Sequence, residues 1–226
     1  MRDNNLYAVQ LMHPGGEHRP DDGDEKRWNR GPHKRKFLRS PGAYVSCGTL
    51  AEASVLFWGE WEAESRIVRR YGKPEDGHPS YVSQPYYRPP ASYKGLQNTD
   101  PFVFGGFFYT FCLQKKEKES RSRLKHMGPG SVVLFGSHLQ GRVVLDTVLV
   151  VKDFIDHSHA NWHERLKGRV PAVYCDVTLK PYYANNHGSH RLYIGATYQD
   201  PYDGMYSFFP CSPESQALEG FARPSI

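Results

Sequence analysis

Leu124–Phe154 reads LKHMGPGSVVLFGSHLQGRVVLDTVLVVKDF, and the fold expectation starts from its order of elements. A short basic, amphipathic run ends at Gly128-Pro129-Gly130, a pair of residue types that punctuates secondary structure. The apolar run that follows predicts a strand over Ser131–Phe135. A small polar turn is expected over Gly136–Gly141, and a second strand over Val143–Val151.

Working outward, Leu6–Met12 alternates loosely and reads as a first strand, ended by His13-Pro14-Gly15-Gly16. Ala43–Cys47 reads as a short strand. Thr49 and Glu52 have capping-box spacing, yet Val55–Trp61 alternates, and the expectation there is a strand over Phe57–Val68. Phe102–Leu113, Ala172–Leu179, Leu192–Tyr198 and Met205–Phe209 also read as strands, and Ser122–Met127 as a helical turn. Arg19–Arg39 is polar and charged, acidic at Asp21–Glu25 and basic beyond it, and predicts a long loop. Residues 73–95 are rich in Tyr and Pro and predict an irregular surface excursion. Short strands with little helix predict an α+β, β-rich chain: one domain over 1–226, a small β-barrel with short helices and long decorated loops.

Composition limits the function classes. The 226 residues are 38% hydrophobic and 23% charged, so most of the chain can fold. A net charge of +5 suits an anionic partner without demanding one. No apolar run approaches the roughly 18 residues needed to span a bilayer, and the first residues carry no signal-peptide core. Cys47, Cys112, Cys175 and Cys211 are widely spaced, with no C-x-x-C, which argues against a disulfide framework or a zinc knuckle. The expected setting is therefore cytoplasmic, without a membrane partner. No nucleophile elbow, P-loop or dinucleotide fingerprint is present.

Within the opening segment, Leu124-Lys125-x-Met127, Gly130-Ser131, Phe135-Gly136-Ser137-His138 and Val143–Val151 follow one another in an order that resembles the PUA-like superfamily, above all the EVE domains and their YTH and ASCH relatives. Leu6–Met12, running into His13-Pro14, resembles the opening strand of EVE domains. Ser131 stands where those domains have an acid, and their Trp-Asp-Gly phrase is absent. The resemblance implies a PUA-like barrel and a pocket that accepts a nucleobase flipped out of a strand.

Such a pocket needs flat apolar walls and polar groups for the base edge. Phe57-Trp58-Gly59-Glu60-Trp61 supplies two indoles beside an acid, with Trp58 on the face shared by Glu60 and Glu62. Gln97, Asn98 and Asp100 are dense in donors and acceptors, and Ser137-His138 sits at the turn of the opening segment. Arg30, Lys34, Arg35, Lys36 and Arg39 form a basic run that would attract phosphates. The leading expectation is a nucleic-acid-binding module that reads a modified or flipped base in DNA or RNA, without a cofactor, beside an effector protein encoded separately. The alternative is a metal-dependent enzyme acting on nucleic acid or nucleotides, with His13, Glu17 and His18 joined by Glu60 and Asp100 around an ion. A third reading makes Tyr81–Tyr93 a protein interface. The first two part on one observation: a reader needs Trp58 in an open slot near Arg35 and Lys36, whereas histidines converging on an acid beside a buried Trp58 speak against it.

Overall fold

A computed structural model describes residues 6–72, 75, 77–93, 95–98, 106–111 and 123–226. The hairpin expected from the opening segment is present as β8 and β9, over Val132–Leu139 and Arg142–Ser158. Its reversal is at Gln140 (φ 50) and Gly141 (φ 75). Two consecutive left-handed residues make the primed turn whose twist matches that of the strands it joins. The turn is shorter than expected because Gly136, Ser137 and His138 continue β8. β9 runs past Val151 to Ser158; beyond the register shift between Val151 and Asp153, Ile155 and His157 are buried on one face and Asp156 is exposed on the other.

The remaining strands, in chain order, are β1 (Ala8–Pro14), β2 (Glu25–Lys26), β3 (Lys36–Ser46), β4 (Thr49–Gly59), β5 (Ser65–Arg70), β6 (Tyr81–Pro85), β7 (Phe108–Tyr109), β10 (Ser189–Gly195) and β11 (Cys211–Pro213). They form two sheets, in the orders β1-β8-β9-β10-β7 and β11-β4-β3-β6-β5-β2. Val132 N donates to Tyr7 O near one end of β1, and Gly15 N donates to His138 O near the other, so β1 and β8 run parallel. The chain is β-rich with short helices, and the described residues form no closed barrel. No helix among them is long and apolar enough to cross a membrane.

Contacts divide the chain into two compact units. Unit one comprises residues 1–11, 88–135 and 148–208, and unit two comprises 12–87, 136–147 and 209–226. The core of unit one gathers Tyr109, Leu124, Met127, Val133, Phe135, Leu149, Val151 and Tyr193. The core of unit two gathers Phe37, Leu56, Trp58, Val82 and Ala217. The Leu124-x-x-Met127 phrase is thus framework: the 3-10 turn Arg123–Lys125 plants both side chains in the core.

Several expectations are corrected. The capping-box spacing at Thr49–Glu52 starts no helix. Cys47 (φ 50) and Gly48 (φ 76) close a tight hairpin, and β3 pairs with β4 from Lys36↔Gly59 to Ser46↔Thr49. The strand expected over Phe57–Val68 is two strands, because β4 ends at Gly59 and β5 starts at Ser65. The charged loop stops short of Arg39, since Lys36–Arg39 opens β3 with Arg35–Leu38 buried. The excursion over 73–95 contains β6, an interior strand between β3 and β5, and Tyr81 is part of it. Met205–Phe209 makes only isolated bridges, and of Phe102–Leu113 the described part forms the short β7.

Ala172–Leu179 is helical rather than extended. Ala172–Tyr174 (α2), the π-helical turn Cys175–Leu179 and Lys180–Tyr183 (α3) are continuous, and α1 spans Trp162–Leu166. Tyr174, Val177, Thr178 and Tyr182 are buried, a spacing that follows a helical face. Pro181 lacks the N–H that would bond back to Val177 O, and Asn98 N supplies that hydrogen bond instead at 2.7 Å.

Candidate metal centre

Unit two brings a histidine and two glutamates to one point, and the β3–β4 register explains why. The ladder begins with Lys36 opposite Gly59. Carried beyond that pair, the same register sets Arg35 against Glu60 and His33 against Glu62. In the order GEWE, Trp61 separates the two carboxylates and anchors them: its ring is wholly buried and its Nε1 donates to Glu64 O at 2.9 Å. His33 Nδ1 lies 2.5 Å from Glu60 Oε1 and 2.5 Å from Glu62 Oε1. Ligand atoms of all three residues fall within 4.8 Å of one another. Both glutamates are buried, while the His33 side chain is 47% exposed and closes the solvent side.

A buried ionic network holds the second oxygen of Glu60. Arg35 Nη1 donates to Glu60 Oε2 at 2.6 Å, and Arg35 Nε donates to Asp146 Oδ2 at 3.0 Å. Asp146 also accepts from Ser137 Oγ and, at 3.2 Å, from Arg223 Nη1. Arg223 Nη2 donates to Gly15 O at 2.5 Å. Gly15 is required where it stands, because a Cβ there would fall 2.4 Å from His138 O. His13, at the end of β1, places Nε2 4.0 Å from Glu60 Oε2.

Charge states follow from this packing. Burial pushes Glu60 up, but the Arg35 guanidinium and His33 outweigh it and hold its carboxyl at about 2. Hydrogen bonds to Glu60 and then Glu62 lift His33 to about 10. Burial lowers His13, against the pull of Glu60. The centre therefore has two acidic oxygens facing an imidazole nitrogen, with a second, less basic imidazole nearby.

The structure separates the residues singled out in the sequence. Trp58 is buried; its Nε1 donates to Phe221 O at 2.8 Å, and its ring lies against Phe37 and under the Arg223 guanidinium at 4.5 Å. Neither Trp58 nor Trp61 presents an open stacking face. Ser137 is a buried partner of Asp146, and His138 is exposed but contributes its carbonyl to Gly15. Gln97 and Asn98 belong to unit one, where Asn98 is buried. Asp100 lies outside the described residues. Of the basic run, Arg30 and Lys34 are exposed, whereas Arg35 and Lys36 are buried and Arg39 reaches Gln84 and Glu214 at 3.0 and 3.5 Å. Of the expected ion-binding residues, His13 comes within 4.0 Å of Glu60. Glu17 instead accepts from Ser80 N at 2.8 Å and Tyr81 N at 3.2 Å. His18 is buried, and burial followed by Lys36 pushes its imidazole down to about 3. Glu62 was not read as a ligand. The legible signal was the facing of HKRK by GEWE across one hairpin.

Lys36 has a structural cost. Its Nζ donates to Ala63 O at 3.0 Å in a buried site, and burial, then Lys26, push it down to about 7. A base whose folded value is depressed destabilises increasingly as pH falls from its ordinary range towards that value. Lys36→Met should therefore raise the thermal midpoint at pH 7 by several degrees and by less at pH 10. Equal or lower midpoints for the variant at both pH values, read by circular dichroism, would count against this account.

Comparison of the chain with known protein families, curated proteins and solved structures found no match.

Proposed function

We propose that unit two binds a divalent cation through His33 Nδ1 and the carboxylates of Glu60 and Glu62, and is a metal-dependent enzyme acting on nucleic acid or nucleotides. The observation that carries this reading is one imidazole nitrogen 2.5 Å from an oxygen of each of two buried carboxylates. A single proton on that nitrogen is shared between two acceptors, whereas an ion would join all three atoms once they spread to the roughly 3 Å spacing of ligands at about 2.0–2.2 Å. One nitrogen and two carboxylate oxygens suit zinc or manganese, and three protein ligands leave positions open for water and substrate. The ion would polarise a phosphoryl oxygen and acidify a bound water. Arg35 fixes the orientation of Glu60 from its second oxygen. His13 is positioned to accept a proton there. Arg30 and Lys34, exposed near His33 in sequence, supply attraction for phosphates.

This reading is preferred to a PUA-like base reader because burial of Trp58 and Trp61 removes the stacking surface that reader needs at this point. The Leu124–Phe154 order of elements supports the reader alone. The deciding experiment is calorimetric titration of the chelator-treated protein with Zn²⁺ and Mn²⁺, followed by hydrolysis assays on a phosphodiester reporter, single-stranded DNA and RNA. One ion per chain and ion-dependent cleavage are expected. Ion binding without turnover on any substrate removes the enzyme, and no ion binding removes the centre.

The pH dependence has a definite sign. His33 must lose its proton to become a ligand, and the two glutamates hold that proton up to about 10. Ion affinity should therefore rise by about tenfold per pH unit between pH 6 and 9, with release of about one proton. A flat affinity across that range removes His33 from the ligand set.

A further inference from the structure

We propose that unit one carries a second binding site, a pocket for a phosphorylated ligand of nucleotide size, at the paired ends of β9 and β10. The register sets Asp156 opposite Arg191, His157 opposite His190 and Ser158 opposite Ser189. Together with Lys125 and His126 these residues line a pocket of about 390 Å³. That volume lies in the ~300–1,000 Å³ range of small-molecule sites and far exceeds a lone phosphate.

The buried histidines make a fixed base for the pocket. Each lies in a strand and is buried. His157 Nε2 and Nδ1 hydrogen-bond Thr110 Oγ1 at 3.0 Å and Tyr183 OH at 2.8 Å. His190 Nε2 meets Tyr182 OH at 2.7 Å, and Tyr182 stacks on Phe111 with ring centres 3.6 Å apart. Burial pushes His157 down to about 4, so its ring carries no charge near neutral pH.

The rim holds more donors than acceptors. Its one carboxylate, Asp156, is engaged by Arg191 through bonds of 2.7 and 3.1 Å, and the guanidinium lies 3.7 Å over the Phe154 ring. Lys125 and His126 make no ion pair with the described residues. The Asn161 carbonyl accepts from Ser158 N at 2.8 Å and Ser158 Oγ at 3.2 Å, which leaves its amide N–H groups as donors. Ser189 adds an exposed hydroxyl. One surplus cation beside several neutral donors selects an anion rich in acceptor oxygens. The pocket volume left beyond a phosphate selects an organic group attached to it.

A free nucleotide and the 5′-phosphorylated end of a strand share this chemistry, and the test separates them. Binding is measured on the full chain in chelator, which removes any contribution from the centre in unit two and keeps the two proposals independent. The probes are adenosine monophosphate, adenosine, inorganic phosphate, and one oligonucleotide with and without a 5′-phosphate. The monophosphate or the 5′-phosphorylated strand should bind at least tenfold tighter than its unphosphorylated twin. Lys125→Gln should weaken that binding at least tenfold, while Lys167→Gln, an exposed lysine outside the pocket, leaves it unchanged. Circular dichroism checks that both variants fold. The proposal is overturned if neither phosphorylated probe binds, if the unphosphorylated twins bind equally, if Lys125→Gln has no effect, or if Lys167→Gln loses as much.

Discussion

Arg35→Met is expected to lower the thermal midpoint of the ion-free protein at pH 7 by roughly 6–20 °C. The side chain is wholly buried and bridges two carboxylates, Glu60 at 2.6 Å and Asp146 at 3.0 Å. Removing one partner of a buried ionic cluster costs about 3–5 kcal/mol; Glu60 keeps His33 at 2.5 Å but loses the guanidinium that holds its second oxygen. For a chain of this size each kcal/mol moves the midpoint by about 2–4 °C. Asp146 keeps Arg223 and Ser137, so most of the loss falls on Glu60. The pH dependence identifies the cause. Glu60 is held at about 2, so its stabilising contribution is present above the ordinary carboxylate range and is lost as pH falls through that value. Without the guanidinium it titrates higher and takes a proton more readily. The gap between native and variant midpoints should therefore be widest near pH 7 and shrink at pH 4. Arg35→Lys should not restore stability, since one ammonium cannot reproduce a fork that donates to two carboxylates in fixed directions. A gap below 2 °C at pH 7 would show that the network contributes little.

This network marks the limit of what the sequence discloses. The β8–β9 hairpin was legible because short apolar runs flank a polar, Gly-containing turn, and that pattern needs no distant partner. The end of β9 was not, because exposed Asp153 and Asp156 flank buried Ile155 and a register shift interrupts the alternation. β3 was hidden by Arg39, Pro41 and Gly42. Pro41 is tolerated there because the single pairing of β3 with β6 is at Leu38, so no ladder bond to a second neighbour is lost. Ala172–Leu179 misled through its β-branched residues, Val173, Val177 and Thr178, whose strand preference is overridden by burial along a helical face.

The candidate site was half legible for the same reason. Glu60, Arg35, His13 and Ser137 were each singled out, but as contacts for a base or phosphate or as part of another ion cluster. Composition marks a residue as able to ionise and leaves open whether its charge faces solvent or another chain segment. Arg35 and Lys36 in a basic run read as a solvated face, yet the register of β3 against β4 turns them inward. Buried charge of this density is costly, and three-atom convergence of His33, Glu60 and Glu62 offers a function that the cost would serve.

Glu62→Gln tests that link most sharply, with an expected loss of at least ~100-fold in divalent-ion affinity. An ion at 100 times its dissociation constant stabilises the native chain by about 2.7 kcal/mol. That corresponds to an upward shift of roughly 5–10 °C in midpoint. At the same ion concentration the variant would sit near its own dissociation constant, where the gain falls to about 0.4 kcal/mol and the shift to about 1 °C. His33→Ala should lose the shift as well, but for a different reason that its ion-free behaviour reveals. The native imidazole, lifted to about 10, stabilises the fold below its ordinary value and stops doing so as pH rises through about 10. His33→Ala therefore removes a favourable charge from between two glutamates, whereas Glu62→Gln leaves His33 paired with Glu60. Ion-free His33→Ala should accordingly melt lower than ion-free Glu62→Gln at pH 6, and the two should converge above pH 10. An ion-induced shift that survives in both variants would place the ion elsewhere in the chain and leave the cluster as a structural ion pair alone.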